Sequence, residues 1–294
     1  MEFFHTNLPH LLSGISVGGQ YALIAIGYTM VYGILRLINF AHGDVFMVAG
    51  LMMVYLSAAL PLYITIPLVV LLTALLGFTI EKVAYKPLRN SPRMSVMISA
   101  IGVSYLLQNL ALYITGGLNQ NYPAIPWISD TVTIFGAVTK RVTIITPFLT
   151  IALVVALVMF INHTKTGMAM RAVAKDFETS QLMGIKINHI ISMTFVVGSL
   201  LAGIGSLLYF SNYPGVTPTV GAMPGLKAFV AAVFGGIGSI PGAVIGAFII
   251  GICENIIKGA GLTTFSDAFT FVLLIIILVA KPTGLFGEKA TDKV

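Results

Sequence analysis

From residue 45 to residue 80 the chain runs for thirty-six residues without one Asp, Glu, Lys or Arg. At about 20 residues per crossing, a run of that length spans a bilayer twice. Pro61 and Pro67 read as the turn between the two spans. Lipid offers no partner for an exposed backbone amide, so each span has to satisfy its own hydrogen bonds, which selects helices. A barrel would show segments of about ten residues with alternating polarity instead. Further apolar runs lie at 11–35, 94–115, 143–161, 190–210, 243–257 and 268–280. Only 9% of the chain is charged and 57% is hydrophobic, against roughly 25% charged in a soluble domain. The expected fold is all-α, a polytopic transmembrane helix bundle of eight or nine membrane segments forming one domain over 1–294.

The formal charge of +6 does not indicate a nucleic-acid partner. Three connections carry eleven of the sixteen Lys and Arg residues: 81–93, 163–188 and the tail 281–294. Clustered loop cations mark the cytoplasmic side. The connections 116–141, with the sole tryptophan Trp127, and 211–225, rich in Pro and Gly, read as external. The first apolar run lacks a basic lead and a cleavage site, so no removable signal peptide is expected.

One cytoplasmic stretch is patterned. In 165–185 the apolar residues Met170, Val173, Ala174 and Phe177 follow the i, i+3, i+4, i+7 spacing of one helical face. Arg171, Lys175 and Glu178 fall on other faces, Asp176 precedes Phe177, and Gly184 offers a stop. A short amphipathic helix between two spans either lies on lipid or docks in a groove of a partner.

Polar side chains inside the apolar segments are few. Arg36, Asn39, His42 and Asp44 fall between two runs, in a stretch that is either a loop or a break within the membrane. They line a substrate path, or they cap a helix with Arg36 and Asp44 paired. Glu254 lies within a span and Asp267 beside one; each is functional, or ion-paired with Lys227 or Lys258. Gly14 and Gly18 make a close-packing face, and Gly238, Gly242 and Gly246 recur every four residues, either for contacts within the chain or across a dimer of membrane subunits.

The sequence has no G-x-x-x-x-G-K-[ST] phosphate loop, no Cys/His cluster with metal-ligand spacing and a single cysteine, Cys253. No cofactor, metal or catalytic residue is expected, and no enzymatic activity in this chain alone.

Four stretches together carry a resemblance: GGQYALIAIGYTMVYGILRLINFAHGDVFMVAG at 18–50, RAVAKDFETSQLMGI at 171–185, GLKAFVAAVFGGIGSIPGAVIGAFIIGICEN at 225–255 and KPTGLFG at 281–287. In this order they resemble the permease subunits, H-type, of ABC importers for branched-chain amino acids. The resemblance implies a second, related permease subunit, two cytoplasmic ATP-binding cassette subunits and an extracytoplasmic substrate-binding protein as partners in the inner membrane. It also implies that about 168–184 is the coupling helix, with Arg171, Val173, Ala174, Asp176, Phe177 and Gly184 seated in an ATPase groove. Arg36, Asn39, His42, Asp44 and Glu254 are the candidate path residues. Three other readings remain open: an ABC permease for urea or short amides, a secondary transporter driven by protons or sodium, which would need Asp44, Glu254 or Asp267 to titrate, and a passive channel.

Overall fold

The computed structural model describes residues 2–89, 91–134 and 137–287; Lys289 and Lys293 of the basic tail lie outside them. Among the described residues there are eleven α-helices: α1 Glu2–Leu35, α2 His42–Ser57, α3 Leu62–Ile80, α4 Arg93–Thr115, α5 Arg141–His163, α6 Lys165–Lys175, α7 Phe177–Leu182, α8 Ile187–Asn212, α9 Ala222–Gly235, α10 Ile240–Gly259 and α11 Ser266–Ala280. Two small antiparallel ribbons complete them, pairing β1 Gln120–Asn121 with β4 Gly215–Val216 and β2 Thr131–Ile134 with β3 Ala137–Lys140. Seven helices have the length and apolarity to cross a membrane. The expected eight or nine segments also count α2 and α9, which at 16 and 14 residues are shorter than a full crossing.

Helix α1 is the centre of the bundle. Ala22, Leu23, Ile24, Ala25 and Ile26 are all fully buried, so this helix is enclosed on every side, as an apolar helix without a polar face must be. Its close neighbour is α10. A Cβ on Gly14 or Gly18 would fall against the backbone of Ile252 or Phe248, and one on Gly251 against the backbone of Gly18. Small residues on both helices let the backbones meet. By contrast α4, α5 and α11 turn Leu106, Phe148 and Ile276 outward, the faces lipid would cover.

Three sequence expectations are corrected. Pro61 precedes α3, but Pro67 lies inside it rather than in the turn; having no N–H, it leaves the Tyr63 carbonyl without its usual intrahelical donor. The basic connection at 81–93 is not a loop in its first half: α3 continues through a π turn, Glu81–Tyr85, and a 3-10 turn, Lys86–Leu88. Gly238 stands outside α10 with φ of 100° and open space around it, so only Gly242 and Gly246 form a packing face. That face meets Gly235 and Ala231 of α9, a contact within the chain.

The segment between α1 and α2 is a break inside the bundle. Arg36 takes a left-handed φ of 54°, reversing the chain, which then runs back beside α1. A Cβ on Gly27 would collide with the His42 ring, and His42 Cε1 is also 3.8 Å from where a Cβ on Gly198 would lie. So α2 starts level with the interior of α1 and of α8. Helix α9 starts at the same depth: a Cβ on Gly225 would lie 2.8 Å from Gly43 Cα, and one on Gly43 2.7 Å from the Gly221 carbonyl oxygen. Two short helices therefore meet end to end within the bundle, each entered through a turn.

Candidate functional site

Where α2 and α9 meet, a cavity of about 400 Å³ opens. Tyr28 of α1, Ile38 and Phe40 of the break, Ile101 of α4 and Leu226 and Phe229 of α9 give it mainly apolar walls. One charged group faces it. Asp44, buried in the first turn of α2, accepts hydrogen bonds from Ser104 Oγ and, at 3.0 Å, from Gln108 Nε2. Ser104 and Gln108 lie one helical turn apart on α4, so a single face of that helix presents both to the carboxylate. Among the described residues no Lys or Arg lies within ion-pairing distance of Asp44.

Arg36, Asn39 and His42, the other polar residues of the break, do not line the cavity. Arg36 is exposed and pairs with no acidic residue among those described, which overturns an Arg36–Asp44 pair; the left-handed turn at Arg36 carries its side chain away from α2. Asn39 is buried and accepts from Tyr85 Oη at 2.9 Å, tying the break to the π turn after α3. His42 is buried edge-on against Tyr28, ring centroids 5.1 Å apart, with Nε2 lacking a hydrogen-bond partner among the described residues.

Glu254 occupies a separate place. It is 1% exposed, yet three donors surround it: Lys227 Nζ at 2.7 Å and Lys258 Nζ at 2.6 Å, both on Oε1, and Tyr21 Oη at 3.1 Å on Oε2. Lys227 also bridges to Asp267 at 2.6 Å. This network joins α1, α9, α10 and the start of α11. Ion pairing with Lys227 or Lys258 was the plainer of the two sequence expectations, and it is the arrangement found.

The patterned stretch at 165–185 is two helices, not one. Thr164 caps α6 through its side chain, accepting from Gly167 N at 3.0 Å. Asp176 then breaks the run: its backbone is extended, and its Oδ1 accepts from Thr179 N at 3.0 Å, capping α7. Gly184, φ 83°, ends α7 as expected, with Ile185 N donating to Ser180 O at 3.1 Å in a Schellman closure. The stripe is therefore divided. Met170 and Val173 are buried against the bundle, in one apolar cluster with Met30, Val31, Ile187 and Ile190, and Ala174 is half-buried. Met170 and Val173 anchor α6 to its own chain. Arg171 and Phe177 are exposed, and so are Leu182 and Met183 at 87% and 79%, two residues that helical periodicity did not single out.

Discontinuous helices meeting inside a bundle are how membrane permeases build a polar point away from lipid. The chain matches the family described as branched-chain amino acid transport system, permease component, over residues 10–278, and belongs to it. It is 38% identical to the high-affinity branched-chain amino acid transport system permease protein LivH of Salmonella typhimurium, an alignment spanning 100% of this chain and 99% of that one. The corresponding permease protein BraD of Pseudomonas aeruginosa is 37% identical over the same shares. Among solved structures, PsaBC from Streptococcus pneumoniae in complex with Fab aligns with a TM-score of 0.49 and 16% identity, over 96% of this chain and 94% of that one.

Proposed function

We propose that this chain is the membrane-spanning permease subunit of an ATP-driven importer for branched-chain amino acids in the cell inner membrane. A second homologous permease subunit completes the passage, two ATP-binding cassette subunits supply the drive, and an extracytoplasmic binding protein delivers the amino acid. The chain itself hydrolyses nothing. Membership of the family, and near-equal length with relatives named for this substrate class, support the cargo.

The observation that carries the coupling role is the division of labour across α6 and α7. Met170 and Val173 fix α6 to the bundle, while Phe177, Leu182 and Met183 face outward. Exposed apolar side chains beside a basic connection fit a groove on a soluble partner. A push on α7 passes through α6 to the α1 and α8 residues it packs against. An ion-coupled transporter would have to work through Asp44, because Glu254 and Asp267 are both held by Lys227.

The test is uptake of leucine into proteoliposomes holding the complete complex. Changing Leu182→Asp together with Met183→Asp is expected to lower ATP-driven uptake at least about tenfold, the effect of removing buried anchors from an interface, while membrane insertion is retained. Uptake at the wild-type rate would count against α7 as the contact. Uptake by the chain alone under an ion gradient, without ATP, would replace the importer reading.

A further inference from the structure

We propose that the cavity between α2, α4 and α9 is a subsite for the amino acid itself, with Asp44 receiving its α-ammonium group and the apolar walls its side chain. The inference rests on the reading of this chain as an amino-acid permease and names the residues that would touch the cargo.

The argument begins with charge. A buried carboxylate is costly unless a cation or several donors offset it. Glu254 has two lysines and a tyrosine. Asp44 has two neutral donors and no cation, and it faces open volume. Two neutral bonds leave acceptor sites on its oxygens unused, and those sites match the three N–H donors of a primary ammonium. Among the described residues nothing else charged lines the cavity, so the ammonium has one place to go.

The walls select the rest of the molecule. Ile38, Ile101, Leu226 and Phe229 present aliphatic and aromatic surface, where an unbranched polar side chain would lose its water without gaining partners. A few placed polar groups in an otherwise apolar concavity is the usual composition of a small-molecule site. Gly43, Gly221 and Gly225 also line it, and side chains there would fill the junction of the two helices. The rim residues Tyr105 and Leu226 are exposed, so the cavity is open to one side.

The test follows occupancy directly. In the reconstituted complex, Cys253→Ser removes the native thiol and Ile101→Cys places one on the cavity wall. Leucine is expected to slow maleimide modification of this thiol. The 2-hydroxy analogue of leucine, equal in shape but without the ammonium, is expected not to. Adding Asp44→Asn should weaken protection by leucine about tenfold or more, the loss of one charge-assisted hydrogen bond.

Equal protection by leucine and the hydroxy analogue would overturn the role of Asp44, and no protection by leucine would overturn the site. The analogue arm leaves Asp44 unchanged, so a variant that failed to insert would not disable the test. A complex that imports leucine with ATP but shows no protection refutes the subsite alone. A complex with no ATP-driven uptake refutes the importer reading, and the labelling still decides whether the cavity holds leucine.

Discussion

Asp44 and Glu254 are equally hidden, at 2% and 1% exposure, and are built to opposite ends. Glu254 sits where four helix elements converge and is saturated: two ammonium groups share one of its oxygens and a phenol takes the other. Asp44 stands beside a void, held by one hydroxyl and one amide. The first arrangement commits the charge to holding helices in place. The second leaves a charge available. A buried carboxylate in a membrane segment is often taken as functional on burial alone; these two show that its partners are the better guide.

The comparison can be broken most sharply at Lys227. Changing Lys227→Met strips Glu254 of one cation and Asp267 of its bridge, and is expected to destabilise the protein by about 3 kcal/mol, the range for uncovering a buried charge. Thermal unfolding in detergent reads this, and adding Glu254→Gln should recover part of the loss. An unchanged midpoint would mean that the network holds nothing. Asp44→Asn comes next and is expected to cost about 1 kcal/mol or less in the same assay, because the amide oxygen can still accept from Gln108 while the amide N–H donates to the Ser104 hydroxyl oxygen. A loss as large as that of Lys227→Met would erase the distinction between the two sites. Lys258→Met should be smallest, about 0.5 kcal/mol, since that lysine is partly in solvent, 34% exposed, and pairs across one helical turn. If it matched Lys227→Met, the second lysine would be as structural as the first.

The bundle itself could be read from the apolar runs, because crossing length and charge exclusion are imposed by lipid and not by tertiary detail. The pairing of Glu254 was also foreseeable: the chain offers few cations near any span, and Lys258 lies one turn away from it. Other features depend on what meets in space. Ser104 and Gln108 lie in α4, 60 and 64 residues from Asp44, and only their i, i+4 spacing within an apolar run hinted at a shared polar partner. The break at Asp176 did have a local signal. An Asp three residues before Thr179, with Glu178 in the first turn of α7, is a helix start, yet the stripe through Phe177 runs across it. Periodicity counted the residues and missed the cap, and so put Met170 and Val173 on one face with Phe177, when they are buried in the bundle and Phe177 is exposed. The inward start of α2 could not be derived at all, because it depends on Gly27 and Gly198 leaving room for His42.

The junction of α2 with α9 has one more consequence. At Gly43, Gly221 and Gly225 main chain touches main chain, with no side chain in between. A seam of this kind has no interlocking parts, so its two halves can part and rejoin without any rotamer having to turn. It also tolerates no wedge: a single methyl group at Gly43 would stand 2.7 Å from the Gly221 carbonyl oxygen and prop the two helix ends apart.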